Sequence, residues 1–223
     1  DSNPANPVIG DRAFSDRPDR VAELGVAFAR GLQGGGVAAC GKHFPGHGDT
    51  CLDSHLALPH VGHGPERLRS VELVPFRAAA AAGVAAMMSA HVVYATLDPG
   101  VPATLSRPIA TTLLREELGF GGVLFSDDLE MRALGDRMTI ERSAVAAVEA
   151  GCDVLLVCHD PALQARAHAA LVERAGADPG FRARCVAAFE RAIAARRRFA
   201  PRPATVAEAE AALPELVAVT AAV

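Results

Sequence analysis

The sequence has no excess of positive charge: 22 Lys and Arg stand against 26 Asp and Glu, a formal net charge of −4. Without a broad basic field, nucleic acid is not expected as its main partner. No apolar run approaches the ~18 residues that a membrane-spanning helix needs, and the most apolar stretches, such as 83–88, are short and end in polar residues. Five cysteines, at positions 40, 51, 152, 158 and 185, form no CxxC pair, which removes the usual zinc knuckle. Their odd, scattered set fits a reducing compartment better than secretion, so a cytoplasmic location is expected. Cys40, Cys152 and Cys158 lie inside apolar runs and read as small core residues. No initiator Met is present, and the chain opens on Asp-Ser-Asn-Pro, a turn-like start. A piece of a longer protein is expected, with any targeting segment beyond the sequence.

Half of the 223 residues are hydrophobic and 22% are charged, so a sizeable core can form. Four apolar runs of β type cover 37–44, 84–94, 122–129 and 153–158. Each is nearly continuous rather than alternating, the pattern of a parallel strand buried on both faces. Between them lie helical patterns with readable ends. One spans 17–33 and is stopped by Gly34-Gly35-Gly36, and another runs from Pro65 to about residue 82. Ser106 reads as an N-cap before Pro108, with Gly119 past the end, and Thr139 caps a helix ending at Gly151. Pro161 opens the next, and a last long helix covers about 179–199, with basic residues Arg196 to Arg198 in its final turn. The stretch 201–223 is an Ala- and Pro-rich tail with room for one short helix after Thr205. The order βαβαβαβα argues for an α/β fold with a parallel sheet.

In such folds polar chemistry gathers at the C-terminal ends of the strands. The first run ends in Lys42-His43, the second in Ser89-Ala90-His91, the third in Ser126-Asp127-Asp128 and the fourth in His159-Asp160. Residues 42–55 pack three His, two Asp and one Lys into 14 positions. Pro45, Gly46 and Gly48 exclude a helix there and imply an ordered loop leaving the strand. A polar loop this dense costs desolvation unless it serves a site. Asp53 stands two residues before His55, close enough in an irregular loop for the carboxylate to fix the imidazole tautomer and stabilise its charged form. An Asx-turn at Asp53 is the structural alternative. Residues 46–55 are expected to move in the absence of ligand, bringing the acid/base in only over a seated substrate.

These motifs jointly resemble a family. Lys-His-Phe-Pro-Gly-His-Gly-Asp at 42–49, Asp-Ser-His at 53–55, Gly-Phe-x-Gly-Val-x-Phe-Ser-Asp-Asp-Leu at 119–129 and Ile-Gly-Asp-Arg-Ala-Phe at 9–14 are similar to the bacterial β-N-acetylhexosaminidases of glycoside hydrolase family 3. The resemblance implies a (β/α)8 TIM-type barrel, of which residues 1–200 would supply the C-terminal part plus C-terminal helices. It implies Asp127 as nucleophile, His55 as general acid/base and Asp53 as its dyad partner. Lys42, His43 and Arg12 would bind sugar hydroxyls, and His47 and His91 would support the site. Asp128 would orient or cap. The implied reaction is retaining hydrolysis of terminal β-linked N-acetylglucosamine from peptidoglycan fragments in cell-wall recycling. The substrate is a peptidoglycan-derived amino sugar; no cofactor, metal, nucleic acid or membrane partner is implied, and the complete protein is expected to be monomeric.

Two other readings remain open at this point. His43, His47, His55, His91 and Asp127 include types that ligate zinc, as in metal-dependent hydrolases on α/β barrels. Against it, no HxH stands on an early strand, and Lys42 and His43, adjacent on a strand, are not expected to point inward together. The second alternative is a non-catalytic, sugar-binding remnant. About half a barrel is expected, since barrels of this kind typically need ~250 residues.

Overall fold

The computed structural model describes residues 3, 6, 9–50, 58–201, 204–208 and 210–211, with residue 11 described by its backbone alone. Its centre is a four-stranded parallel sheet. The strands are β1 (Cys40–Phe44), β3 (Ala86–Ser89), β5 (Val123–Asp128) and β6 (Val154–Leu156), hydrogen-bonded in that order. Two further two-residue strands, β2 (His60–Val61) and β4 (Val93–Tyr94), pair in parallel beyond the C-terminal ends of the main strands. Within the described residues the sheet is open, with β1 and β6 at its edges.

The helices are α1 (Pro18–Gly34), α2 (Pro65–Ser70), α3 (Leu73–Ala81), a π-helix (Pro108–Glu117), α4 (Arg132–Gly135), α5 (Ile140–Ala150), α6 (Pro161–Ala177) and α7 (Pro179–Arg198). α2, α3, the π-helix, α4 and α5 lie between successive strands of the main sheet, as parallel pairing requires. Five of them begin with proline, whose fixed φ and missing N–H suit a first helical position. Asp160 caps α6 by accepting from Ala162 N at 2.8 Å, and Asp178 caps α7 by accepting from Gly180 N and Phe181 N at 2.8 and 3.1 Å. Gly151, at φ 134°, ends α5 where a side chain is excluded: a Cβ there would lie 2.7 Å from Thr111 Oγ1.

The single helix expected over 65–82 is two. Pro75 explains the break. In a continuous helix its ring would clash with the Val71 carbonyl and remove a bond, whereas restarting at Leu73 puts it in the first turn of α3. The strand expected over 84–94 also divides. The main sheet keeps Ala86–Ser89, and the chain then leaves it through Ala90 and His91 to pair Val93–Tyr94 with β2. The 106–119 helix is present but π-helical, and Ile109 N donates to Ser106 Oγ at 3.3 Å at its start.

The core lies between the sheet and its helices, built on Phe44, Met87, Leu124, Leu114, Ile109 and Tyr94, all fully buried. The Phe44 and Phe76 rings meet edge to face at 5.2 Å. At the N-terminal end of the strands, wholly buried Asp153 accepts from Arg115 Nη2 at 2.6 Å, Arg191 Nη2 at 2.7 Å and Leu124 N at 2.9 Å. Those contacts fasten the π-helix and α7 to β5, on the end of the sheet opposite the polar cluster. Of the three cysteines read as core, only Cys152 is buried; Cys40 and Cys158 are exposed. Both stand on or just past the two edge strands, where a run of apolar residues is not matched by packing on both faces.

Candidate functional site at the C-terminal rim of the sheet

Parallel pairing places the ends of β1, β3 and β5 side by side: Phe44 lies opposite Ser89, and Met88 opposite Phe125. The residues that end these strands therefore share one rim, although they are far apart in sequence. His43 Nε2 and Asp127 Oδ2 face each other at 3.9 Å across it, with only 11% and 15% of their side chains exposed. That separation is too long for a hydrogen bond. His43 Nδ1 is buried and has no hydrogen-bond partner among the described residues. Burial pushes the His43 pKa down to about 4, against the opposing pull of the Asp127 carboxylate. His43 is thus a neutral imidazole near pH 7, one ring nitrogen facing a carboxylate and the other uncommitted.

Asp127 and Asp128 diverge, as successive strand residues must. Asp127 Oδ1 accepts from the Asp128 N–H at 2.9 Å, which holds the carboxylate's rotation while Oδ2 faces the rim. Asp128 turns the other way. Its Oδ1 accepts from Glu130 N at 3.1 Å in a tight turn, and its Oδ2 lies 3.2 Å from His159 Nδ1. Glu130 in turn accepts from the N–H groups of His159 and Asp160 at 2.6 and 2.9 Å. The loops after β5 and β6 are tied together by this group, of which the strand-end reading named Asp128, His159 and Asp160 but not Glu130.

His91 is fully buried beneath the rim. Its Nε2 donates to the Asp128 carbonyl at 2.9 Å, and its Nδ1 accepts from the Thr104 hydroxyl at 2.8 Å. Burial lowers its pKa, which agrees with this neutral tautomer. Ser89 Oγ donates to Thr104 Oγ1 at 2.9 Å, so β3, β5 and the 103–105 turn are joined by one network. With both ring nitrogens engaged, His91 braces the strand end that carries Asp127. His47 is also buried, its Nδ1 2.7 Å from Thr50 Oγ1, its carbonyl accepting from Asn6 Nδ2 at 2.7 Å, and its ring edge-on to His43 at 5.8 Å.

Lys42, His43 and Arg12 all line one cavity of about 390 Å³, which runs from the rim along the open side of β1 to α1 and α3. The strand is irregular there, its pairing register shifting between Gly41 and Phe44. Arg12 reaches the cavity from the end of a 3-10 turn, Gly10–Arg12.

His55 and Asp53, the proposed acid/base and its partner, lie outside the described residues, as does the second half of the loop expected to move. Its first half is held. His47 and Thr50 are buried, and the Tyr94 hydroxyl donates to the Gly46 carbonyl. The two places among the described residues where three potential metal ligands gather are Asp49, His63 and Glu72, and Asp128, Glu130 and His159. Neither includes His43, His47, His91 or Asp127.

The likeness to known proteins runs through the same residues. The sequence profile of the Glycosyl hydrolase family 3 N terminal domain matches residues 1–178. A beta-hexosaminidase of Alkalilimnicola ehrlichii is 47% identical over 154 residues, 69% of this chain and 44% of that protein. The structure of a glycoside hydrolase family 3 beta-N-acetylglucosaminidase from Paenibacillus sp. str. FPU-7 superposes with a TM-score of 0.87 at 44% identity, over 92% of this chain and 40% of that one. A beta-N-acetylhexosaminidase from Beutenbergia cavernae gives a TM-score of 0.82 at 35% identity, over 87% of this chain and 58% of the other. The chain spans less than half the length of the curated relative it matches. The open parallel sheet, with its polar rim, is part of the TIM-type barrel of those proteins, and by both profile and structure this chain belongs to glycosyl hydrolase family 3.

Proposed function

We propose that this chain carries the nucleophile side of a retaining β-N-acetylglucosaminidase that removes terminal N-acetylglucosamine from peptidoglycan fragments. The supporting observation is the Asp127 carboxylate at a strand end, rotationally held by its own neighbour's N–H and facing a buried neutral His43. A β-glycoside must lose a poor alkoxide, so it needs an acid on one side of the sugar and an anion on the other. In the first step an Asp127 oxygen bonds to C1 as the C1–O bond to the aglycone breaks, and the leaving oxygen takes a proton from His55. In the second step His55 takes a proton from water as that water attacks C1, releasing Asp127 and giving retention. His43, together with Lys42 and Arg12, holds sugar hydroxyls. His47 and His91 brace the floor, and Asp53 orients His55.

The substrate in this reading is N-acetylglucosamine β-1,4-linked to anhydro-N-acetylmuramic acid, with or without peptide, met in the cytoplasm during cell-wall recycling by a monomeric protein. A fluorinated N-acetylglucosamine analogue that glycosylates the enzyme but is released slowly tests the assignment. Peptide mapping should find the sugar on Asp127. A label on Asp128 would overturn the choice of nucleophile, and turnover without label, through cyclisation of the acetamido group, would remove Asp127 from that role. A folded protein that binds N-acetylglucosamine and never turns it over would establish the non-catalytic reading.

A further inference from the structure

A second polar cluster lies beside the first: Asp49 and Glu72 line the same cavity as Lys42, His43 and Arg12. Asp49 follows β1, His63 follows β2, and Glu72 sits in the break between α2 and α3. One ligand atom from each lies within 4.8 Å of the other two. Nothing in the hydrolysis described above uses them. Glu72 is the informative member. Its side chain is 6% exposed, and neither carboxylate oxygen has a hydrogen-bond partner among the described residues. Arg67 Nη2 stands 3.3 Å from Oε1 and balances one charge. Oε2 faces no cation within ion-pair distance among the described residues. A buried carboxylate with open lone pairs is costly. The backbone does not relieve it, because Gly46 presses against Glu72: a Cβ at Gly46 would lie 3.0 Å from Glu72 Cβ. Across from it the His63 Nε2 and an Asp49 oxygen are already in contact.

From this geometry we infer that Asp49, His63 and Glu72 form a binding site for a divalent cation of the zinc class. One imidazole and two carboxylates are a donor set for Zn²⁺ or Co²⁺ rather than for Ca²⁺ or Mg²⁺, which prefer oxygen alone. Around a tetrahedral ion at ~2.0–2.2 Å, ligand atoms stand roughly 3.3–3.6 Å apart. The three groups reach that spacing by a small opening of the Asp49–His63 contact and a small approach of Glu72. Two carboxylates less the Arg67 charge leave one net negative charge for the cation to neutralise. Three protein ligands leave a fourth position for water. Asp49 and His63 bracket residues 51–57, so the ion cross-links the two ends of the stretch that carries Asp53 and His55.

The test is calorimetric titration of the chelator-treated chain with zinc chloride, with cobalt(II) absorption as a second readout. One ion per chain should bind, raising the melting temperature, with a cobalt spectrum lacking thiolate charge transfer. His63→Ala and Asp49→Asn should each weaken binding by at least about tenfold, since loss of a ligand costs no less than loss of an outer-shell partner. Asp49→Asn is isosteric and keeps the test valid if His63→Ala loosens the loop. His159→Ala, which disables the other cluster, should leave binding intact. Binding that survives both ligand variants, that follows His159 instead, or that is absent from the folded chain would each overturn the site.

Discussion

Acidification should destabilise this chain through His43, starting above the pH range in which ordinary carboxylates are protonated. In the fold the imidazole is 11% exposed and its pKa is pushed down to about 4 by burial. Asp127 opposes that shift, and Lys42, His47 and Arg12 add to it. In the unfolded chain the same ring takes up its proton near the usual ~6.5. Between these values the unfolded state binds one more proton than the native state, so stability falls as pH falls. The loss begins near pH 6.5, grows through pH 5 and levels off near pH 4. A gap of roughly 2.5 pK units at ~1.36 kcal/mol each gives about 3 kcal/mol. For a domain of this size that is a drop in Tm of roughly 6–12 °C. His91 is pushed the same way by burial and steepens the native protein's profile. Urea unfolding from pH 7.5 to 4 in the native chain and in His43→Gln isolates the His43 share as the difference between the two curves. If the curves run parallel, or if the His43 ring titrates above pH 6 by NMR, burial is not holding the imidazole neutral and the reasoning fails.

Other expected outcomes concern the supports of the site and the sugar contacts. His91→Phe removes the ring N–H bonded to the Asp128 carbonyl and one partner of the Thr104 hydroxyl, which keeps Ser89 Oγ and the Ala90 carbonyl, and should cost about 1–3 kcal/mol in urea unfolding. Asp153→Ala strands two arginines that meet on a wholly buried carboxylate, and a loss of about 3–5 kcal/mol is expected at neutral pH. Gly122→Ala puts a Cβ 2.6 Å from the Ala85 carbonyl oxygen and 2.7 Å from the Phe120 ring, so it should destabilise by about 1–3 kcal/mol although it removes nothing. If Lys42 and Arg12 bind sugar hydroxyls, Lys42→Ala and Arg12→Ala should each lower kcat/KM by roughly ten- to a hundredfold with Tm little changed. Unfolding of Lys42→Ala would instead mark it as structural.

The strand centres, the helix starts at proline and the convergence of Lys42-His43, His91 and Asp127 at strand ends were all legible in the sequence. Each follows from local rules: continuous apolar runs, the fixed φ of proline, and the placement of chemistry at the C-terminal ends of parallel strands. The local order of residues likewise separates Asp127 from Asp128, since neighbours on a strand face opposite ways. Only the folded chain decided the rest. Pro75 marks a helix break near Val71–Glu72 by a local rule, but the packing of Glu72 against Gly46 at that break does not follow from it. The exit of the second apolar run at His91 depends on a hydrogen-bond network reaching Thr104 and the Asp128 carbonyl, 13 and 37 residues away. The pairing of β2 with β4, the depressed pKa of His43 and the meeting of Asp49, His63 and Glu72 are likewise products of long-range contact. Periodicity records which face of an element is buried; it carries no record of what that face is buried against, and desolvation and charge pairing are set by the neighbour.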